Sequence, residues 1–217
     1  MKPQKLKYDK FDLSDAGKYS AHEMIVKAVG KNKRVLEIGC ATGYISQMLK
    51  LNECHVTGIE IDGNAGEIAR NICDEVIIGD VEVIELPQKE YDVILFGDVL
   101  EHLKNPENVL KKAMRNLKER GEAVISVPNI ANWKIRLSLL FGKFNYTDIG
   151  ILDRTHLRFF TYKSIKRLIS STNLKIVSED ITPSFPFPFS PFIKYKLAKL
   201  WKKLFALQFI FICEKEK

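Results

Sequence analysis

The chain has 217 residues, enough for one sizeable domain with its own core, and a net charge of +7 at neutral pH. With 46% hydrophobic and 28% charged residues it has a globular composition, and no apolar run approaches the roughly 20 residues that cross a bilayer. The opening MKPQKLKYDK carries lysines but no apolar stretch, so no secretory signal is expected and the expected location is the cytoplasm. Cys40, Cys54, Cys73 and Cys213 form no C-x-x-C pair, which argues against a disulfide framework or a zinc ribbon. His22, His55, His102 and His156 form no H-x-H or H-x-x-x-H pair, so no metal centre is expected.

In chain order, RVLEI, HVTGIE, EVIIG, YDVILF and EAVISV are short β-branched or aromatic runs bounded by Gly, Asp or Asn, and predict strands. Between them YISQMLKLN, GNAGEIARNIC and ENVLKKAMRNLKER predict helices, the last closed by Gly121 as its C′ residue. Strand alternating with helix predicts an α/β domain: a parallel sheet with helices on both faces and ligands bound at the carboxyl ends of the strands. Residues 129–160, aromatic and basic, are long for a connection and predict a cap over the site. TYKSIKRLISSTN then predicts a helix opened by Thr161 or Ser164, and LKIVSEDI a strand. From 183 the chain is Pro-rich and irregular, followed by the basic amphipathic helix IKYKLAKLWKKLF and a last strand, ALQFIFIC. The whole reads as a single domain over 1–217.

Charge is unevenly spread. Residues 11–128 hold 14 Lys/Arg against 20 Asp/Glu, so the basic excess is peripheral. In the helix spanning 192–205, Ile193, Leu197, Leu200, Trp201, Leu204 and Phe205 share a face, with most lysines elsewhere. Such a helix suits a membrane interface; the favoured alternative is that the apolar stripe packs on the domain and the lysines are solvated.

The loop after the first strand is Gly39-Cys40-Ala41-Thr42-Gly43. A dinucleotide fingerprint needs G-x-G-x-x-G, and here Ala41 holds the second glycine's place with no third to follow. No Gly-Lys-Ser/Thr exists for a P-loop, and Glu37 beside the loop repels phosphate but suits a cationic ligand. Glu60 ends the second strand, where a carboxylate accepts hydrogen bonds from both ribose hydroxyls of an adenosine, whereas Asp62 lies further out. Asp80 ends the third strand, within reach of an adenine amine while Val81 meets the ring; Gly97 and Asp98 end the fourth and floor the site.

In order and spacing from about Lys33 to Val127, these elements resemble the class I S-adenosylmethionine-dependent methyltransferases. The resemblance implies a Rossmann-like sheet of seven strands, mostly parallel, with the last strand antiparallel. It also implies S-adenosyl-L-methionine as cofactor, leaving as S-adenosyl-L-homocysteine. Glu37 and the stretch Gly39, Cys40, Ala41, Thr42, Gly43 and Tyr44 would then hold the methionine end, and Glu60 with Ile61 the ribose. Ala41 departs from the usual glycine and narrows the loop. The segments GDVLEHLKNPENVL, SVPN and GILDRTHLRFFT resemble a bacterial branch associated with cell-surface glycans, lipid-linked intermediates or quinone-type small molecules.

Methyl transfer is an in-line displacement that asks for alignment and water exclusion, and a hydroxyl acceptor also needs a proton acceptor. His156, with Asp153 to orient it, is the first candidate and His102 the second; each could instead be a structural or cofactor-lining histidine. Arg154 and Arg158 would suit an anionic acceptor or be surface charge, and Tyr19 and His22 could close over the cofactor or merely pack. The leading expectation is O-methylation of a glycan, lipid-linked or quinone-type small molecule. The alternatives are a nucleic-acid methyltransferase, disfavoured because GDVL stands where N/D-P-P-Y/F would, and a catalytically silent binding protein of the same fold.

Overall fold

The computed structural model describes residues 19–88 and 90–216; the lysine-rich opening segment, and with it the reading of no secretory signal, lies outside them. The elements are α1 (Ala21–Val29), β1 (Arg34–Ile38), α2 (Tyr44–Leu51), β2 (His55–Glu60), α3 (Gly63–Ala69), β3 (Glu75–Ile78), β4 (Tyr91–Gly97), α4 (Pro106–Ala113) and β5 (Leu117–Pro128). They continue through α5 (Trp133–Leu140), α6 (Tyr162–Ser170), β6 (Leu174–Pro183), α7 (Pro191–Leu200), α8 (Lys202–Phe205) and β7 (Ala206–Lys215). The sheet has seven strands in the order β3-β2-β1-β4-β5-β7-β6. β1 to β5 are mutually parallel, and β7 runs antiparallel to both β5 and β6. The strand order reverses between β1 and β4, which opens a crevice beyond their carboxyl ends.

Because side chains alternate along a strand, the near-continuous apolar runs feed two cores. Leu36, Ile38, Ile94, Phe96 and Ile125 face one core, shared with Val109 and Leu110 of α4, Ile165 and Ile169 of α6 and Ala198 of α7. Val35, Val93, Leu95 and Val124 face the other, shared with Ile25, Val26 and Val29 of α1 and Ile45 and Leu49 of α2. All four cysteines are free and buried.

Three expectations need correction. The helix drawn to Gly121 stops at Ala113; after one 3₁₀ turn, Met114–Asn116, the chain is already strand at Leu117. Leu117 is buried and pairs with Tyr91, and Gly121 serves a close approach, since a Cβ there would stand 2.7 Å from Leu117 Cδ1 and 3.1 Å from the Asp92 carbonyl. Secondly, the Pro-rich stretch is not irregular throughout: β6 runs to Pro183, and Pro191 opens α7 behind the Ser190 cap, where a missing N–H is harmless. Thirdly, the apolar stripe of the basic helix packs on the domain only in part, through Phe205 and the half-buried Leu197 and Leu204. The helix breaks at Trp201, Ala198 is the buried residue of α7, and Ile193, Leu200 and Trp201 are exposed. Bonds from Tyr195 and Lys199 to Asp180, and from Lys202 to Glu179, turn the polar side of the helix toward β6 instead. Thr161 and Ser164 both open α6, as the cap and third residue of a capping box.

Candidate active site

The crevice is a cavity of about 760 Å³. Its near wall is the loop after β1, where Gly39, Ala41 and Gly43 all take left-handed backbone, with φ of 72°, 49° and 85°. A Cβ on Gly39 would lie 2.9 Å from Val99 Cγ2, so that glycine is needed for space as well as conformation. Gly39, Ala41, Thr42 and Tyr44 face the cavity, whereas Cys40 and Gly43 do not line it.

Glu37 does not line it either. It alternates with Leu36 and Ile38 in β1 and therefore points to the α1/α2 face, buried beneath the loop, where its carboxylate accepts from the Ser46 hydroxyl. Burial pushes this carboxyl up to about 8, against the opposing effect of the Ser46 hydrogen bond. Glu60, unlike Glu37, does line the cavity. Its two oxygens accept the backbone N–H groups of Ala41 and Asp62, each at 2.8 Å, which ties the loop after β1 to the turn after β2. Asp62 caps α3 by accepting from Asn64 and Ala65, and Ile61 stands exposed at the rim.

Asp80 and Val81 line the next part of the wall, with Asp80 accepting the Glu82 N–H at 2.8 Å. Gly97 and Asp98 form the floor. Asp98 sits at φ 53°, receives the Ser126 hydroxyl at 2.8 Å on one oxygen and the Gln208 amide on the other, and is pushed up to about 6 by burial despite both bonds. His22 of α1 and Tyr44 of α2 meet edge to face at 5.2 Å and both line the cavity, while burial lowers the His22 pKa. Tyr19 stacks on Tyr195 at 4.5 Å.

The far wall comes from the 3₁₀ turn after β4 and from the second half of the 129–160 segment. Leu157 and Arg158 donate their backbone N–H groups to the Glu101 carbonyl, which stitches the two together. Glu101, His102, Asp153 and His156 all line the cavity as a result. His102 and His156 pack edge to face at 4.7 Å, and His156 Nε2 lies 4.0 Å from the Glu101 carboxylate. The Ile151 carbonyl holds His156 Nδ1 at 3.1 Å, the Asp153 carbonyl accepts the His156 backbone N–H at 3.0 Å, and the Asp153 carboxylate receives the Thr155 N–H and hydroxyl. Arg154 pairs with Asp148 at 2.9 Å, and Arg158 donates to the carbonyls of Leu103 and Lys104, so neither arginine lines the cavity. By contrast α5 contributes no buried residue.

Ser126, Gln208 and Glu101 were not singled out from the sequence. Glu101 carries a signal, its place just after a strand end, but Gln208 meets Asp98 across 110 residues of chain with no local motif.

A family model described as a methyltransferase domain matches residues 17–179. The chain is 26% identical over 161 residues to a ubiquinone biosynthesis O-methyltransferase of Coxiella burnetii, covering 70% of this chain and 67% of that one. It is also 26% identical over 228 residues to an uncharacterised protein of Methanocaldococcus jannaschii, covering 97% of this chain and 87% of that one. The fold superposes on a SAM-dependent methyltransferase from Archaeoglobus fulgidus with TM-score 0.65 at 18% identity, covering 90% and 95% of the two chains.

Proposed function

Since the chain belongs to the methyltransferase-domain family and is an S-adenosylmethionine-dependent methyltransferase, we propose that its acceptor is a hydroxyl of a lipid-linked or quinone-type small molecule. The observation that carries this proposal is that the histidine and carboxylate cluster faces the same cavity as Glu60, so a proton acceptor and a ribose-binding carboxylate share one enclosure. The similarity to O-methyltransferases supports the same acceptor chemistry.

The residues present fit the cofactor. Glu60 uses one lone pair of each oxygen on a backbone N–H and keeps others for the ribose diol, while the glycine loop has the bare backbone that a close-lying amino-acid end requires. Asp80 and Val81, which line the next part of the cavity wall, would meet the adenine. When bound, the cofactor supplies an electrophilic methyl group on a sulfonium. His156, whose Nδ1 is anchored on the Ile151 carbonyl, presents Nε2 toward the interior, where an acceptor hydroxyl gives up its proton.

Access for a lipid-linked acceptor is supported by the surface around α7. Phe192, Ile193, Leu200 and Trp201 are exposed beside Lys196 and Lys203, a pairing suited to an anionic lipid interface. Among the described residues no helix is long and apolar enough to cross a membrane.

The test is calorimetric titration of S-adenosylhomocysteine into the wild-type chain and Glu60→Ala, with NAD as control, followed by methyl transfer to a prenylated catechol. Loss of two hydrogen bonds to a charged group, at about 1.5–3 kcal/mol each before relaxation, predicts at least a tenfold weakening in the variant. Binding indifferent to Glu60 would remove the cofactor assignment. Methylation of RNA in place of the catechol would remove the acceptor.

A further inference from the structure

We propose that Glu101, His102 and His156 form a binding site for one divalent transition-metal cation on the far wall of the cavity. One ligand-type atom from each residue lies within 4.8 Å of the others. Two imidazoles and a carboxylate are a ligand set suited to zinc or a neighbouring first-row cation, whereas magnesium prefers oxygen.

The second observation is independent of that spacing. Glu101 is buried at 1% exposure, and its Oε2 has no hydrogen-bond partner among the described residues. An isolated buried carboxylate oxygen is costly, and here Asp98 and Asp153 add negative charge nearby. A cation between this carboxylate and the two imidazoles supplies the unpartnered oxygen with a partner and offsets the neighbouring charge.

Both histidines are held as metal-binding histidines commonly are. His156 Nδ1 lies 3.1 Å from the Ile151 carbonyl, and His102 Nδ1 lies 3.3 Å from the Thr155 carbonyl and 3.2 Å from its hydroxyl. Such outer bonds set the ring orientation and direct Nε2 to the ion. Ligand atoms around zinc stand about 3–3.5 Å apart, given bond lengths of about 2.0–2.2 Å. The 4.0 Å between His156 Nε2 and Glu101, and separations of up to 4.8 Å across the three residues, therefore close with side-chain adjustments of about 0.5–1.5 Å.

The role of the ion rests on the O-methylation reading, but its binding does not. With the cation bound, His156 Nε2 is a ligand and no longer the base, and the acceptor hydroxyl held at the cation releases its proton to solvent. The O–C bond then forms as the C–S bond of the sulfonium breaks, with the electron pair staying on sulfur.

The experiment is calorimetric titration of zinc chloride, and separately magnesium chloride, into metal-stripped protein of the wild type, Glu101→Gln, His156→Ala and a His55→Ala control. Unfolding midpoints and S-adenosylhomocysteine binding are measured on every variant. We expect one saturable zinc site in the wild type and the control, weakened at least tenfold in the two site variants, with magnesium weaker than zinc. Zinc raises the unfolding midpoint of the wild type more than that of either site variant. Absence of saturable zinc binding, or binding indifferent to Glu101 and His156, would overturn the site. Retained S-adenosylhomocysteine binding in the variants shows that they fold and separates a failed metal site from a failed cofactor assignment.

Discussion

Replacing Glu37 by Gln makes the chain less sensitive to alkaline pH. Glu37 is 2% exposed, accepts from Ser46, and has its carboxyl raised from 4.5 to about 8, with burial as the dominant cause. A carboxyl raised by folding binds its proton more tightly in the native state. Its contribution to stability is therefore full at low pH and is lost as pH rises from the unfolded value through the folded one. Between pH 5 and pH 8 the loss integrates to roughly 3 kcal/mol, at about 1.36 kcal/mol per pH unit over the window. Asp98, pushed up to about 6, contributes in the same direction to both chains and cancels in the comparison. The Gln amide oxygen still accepts from Ser46 and never ionises. Urea unfolding of both chains at several pH values across this window measures the difference directly. The wild type should lose roughly 3 kcal/mol relative to Glu37→Gln on going from pH 5 to pH 8. Parallel curves would refute the claim that folding keeps Glu37 protonated.

Two further outcomes concern packing and the surface. Gly58→Ala places a Cβ 2.6 Å from Cys40 Sγ and 3.5 Å from Cys73 Sγ, so the urea midpoint falls by the equivalent of about 1–3 kcal/mol. Adding Cys40→Ala removes the sulfur but keeps the Cys40 Cβ at 3.0 Å, so it restores part of the loss, and no rescue at all would place the strain elsewhere. Flotation with vesicles rich in anionic lipid should retain the wild-type chain at low salt and lose both Trp201→Ala and Lys203→Gln, because apolar insertion and charge act together. Equal recovery of all three chains would show that α7 does not meet lipid.

Much of the fold was legible because its signals are local. Apolar runs such as VILF in β4 are buried on both faces whatever their neighbours, and Gly39 and Gly43 announce a turn that only left-handed backbone makes. Glu60 was recognisable for the same reason, being a carboxylate at the tip of a strand facing a glycine loop. Where two local signals competed, tertiary context decided. Gly121 looked like a helix stop, yet pairing with Tyr91 drew Leu117 into the sheet and left the glycine as a point of close approach.

The α/β rhythm, the order of the strand-end residues and the membership of one family are legible in the residues alone. Only the folded chain decided which face each residue meets. Strand alternation turns Glu37 away from the ligand cavity and under Ser46, and Asp180 and Glu179 hold Lys199 and Lys202 against β6 while Trp201 stays exposed. The cluster of Glu101, His102 and His156 exists because two backbone bonds to the Glu101 carbonyl lay a distant segment over the turn after β4. Such long-range hydrogen bonds join residues with no shared periodicity, so no sequence window contains them.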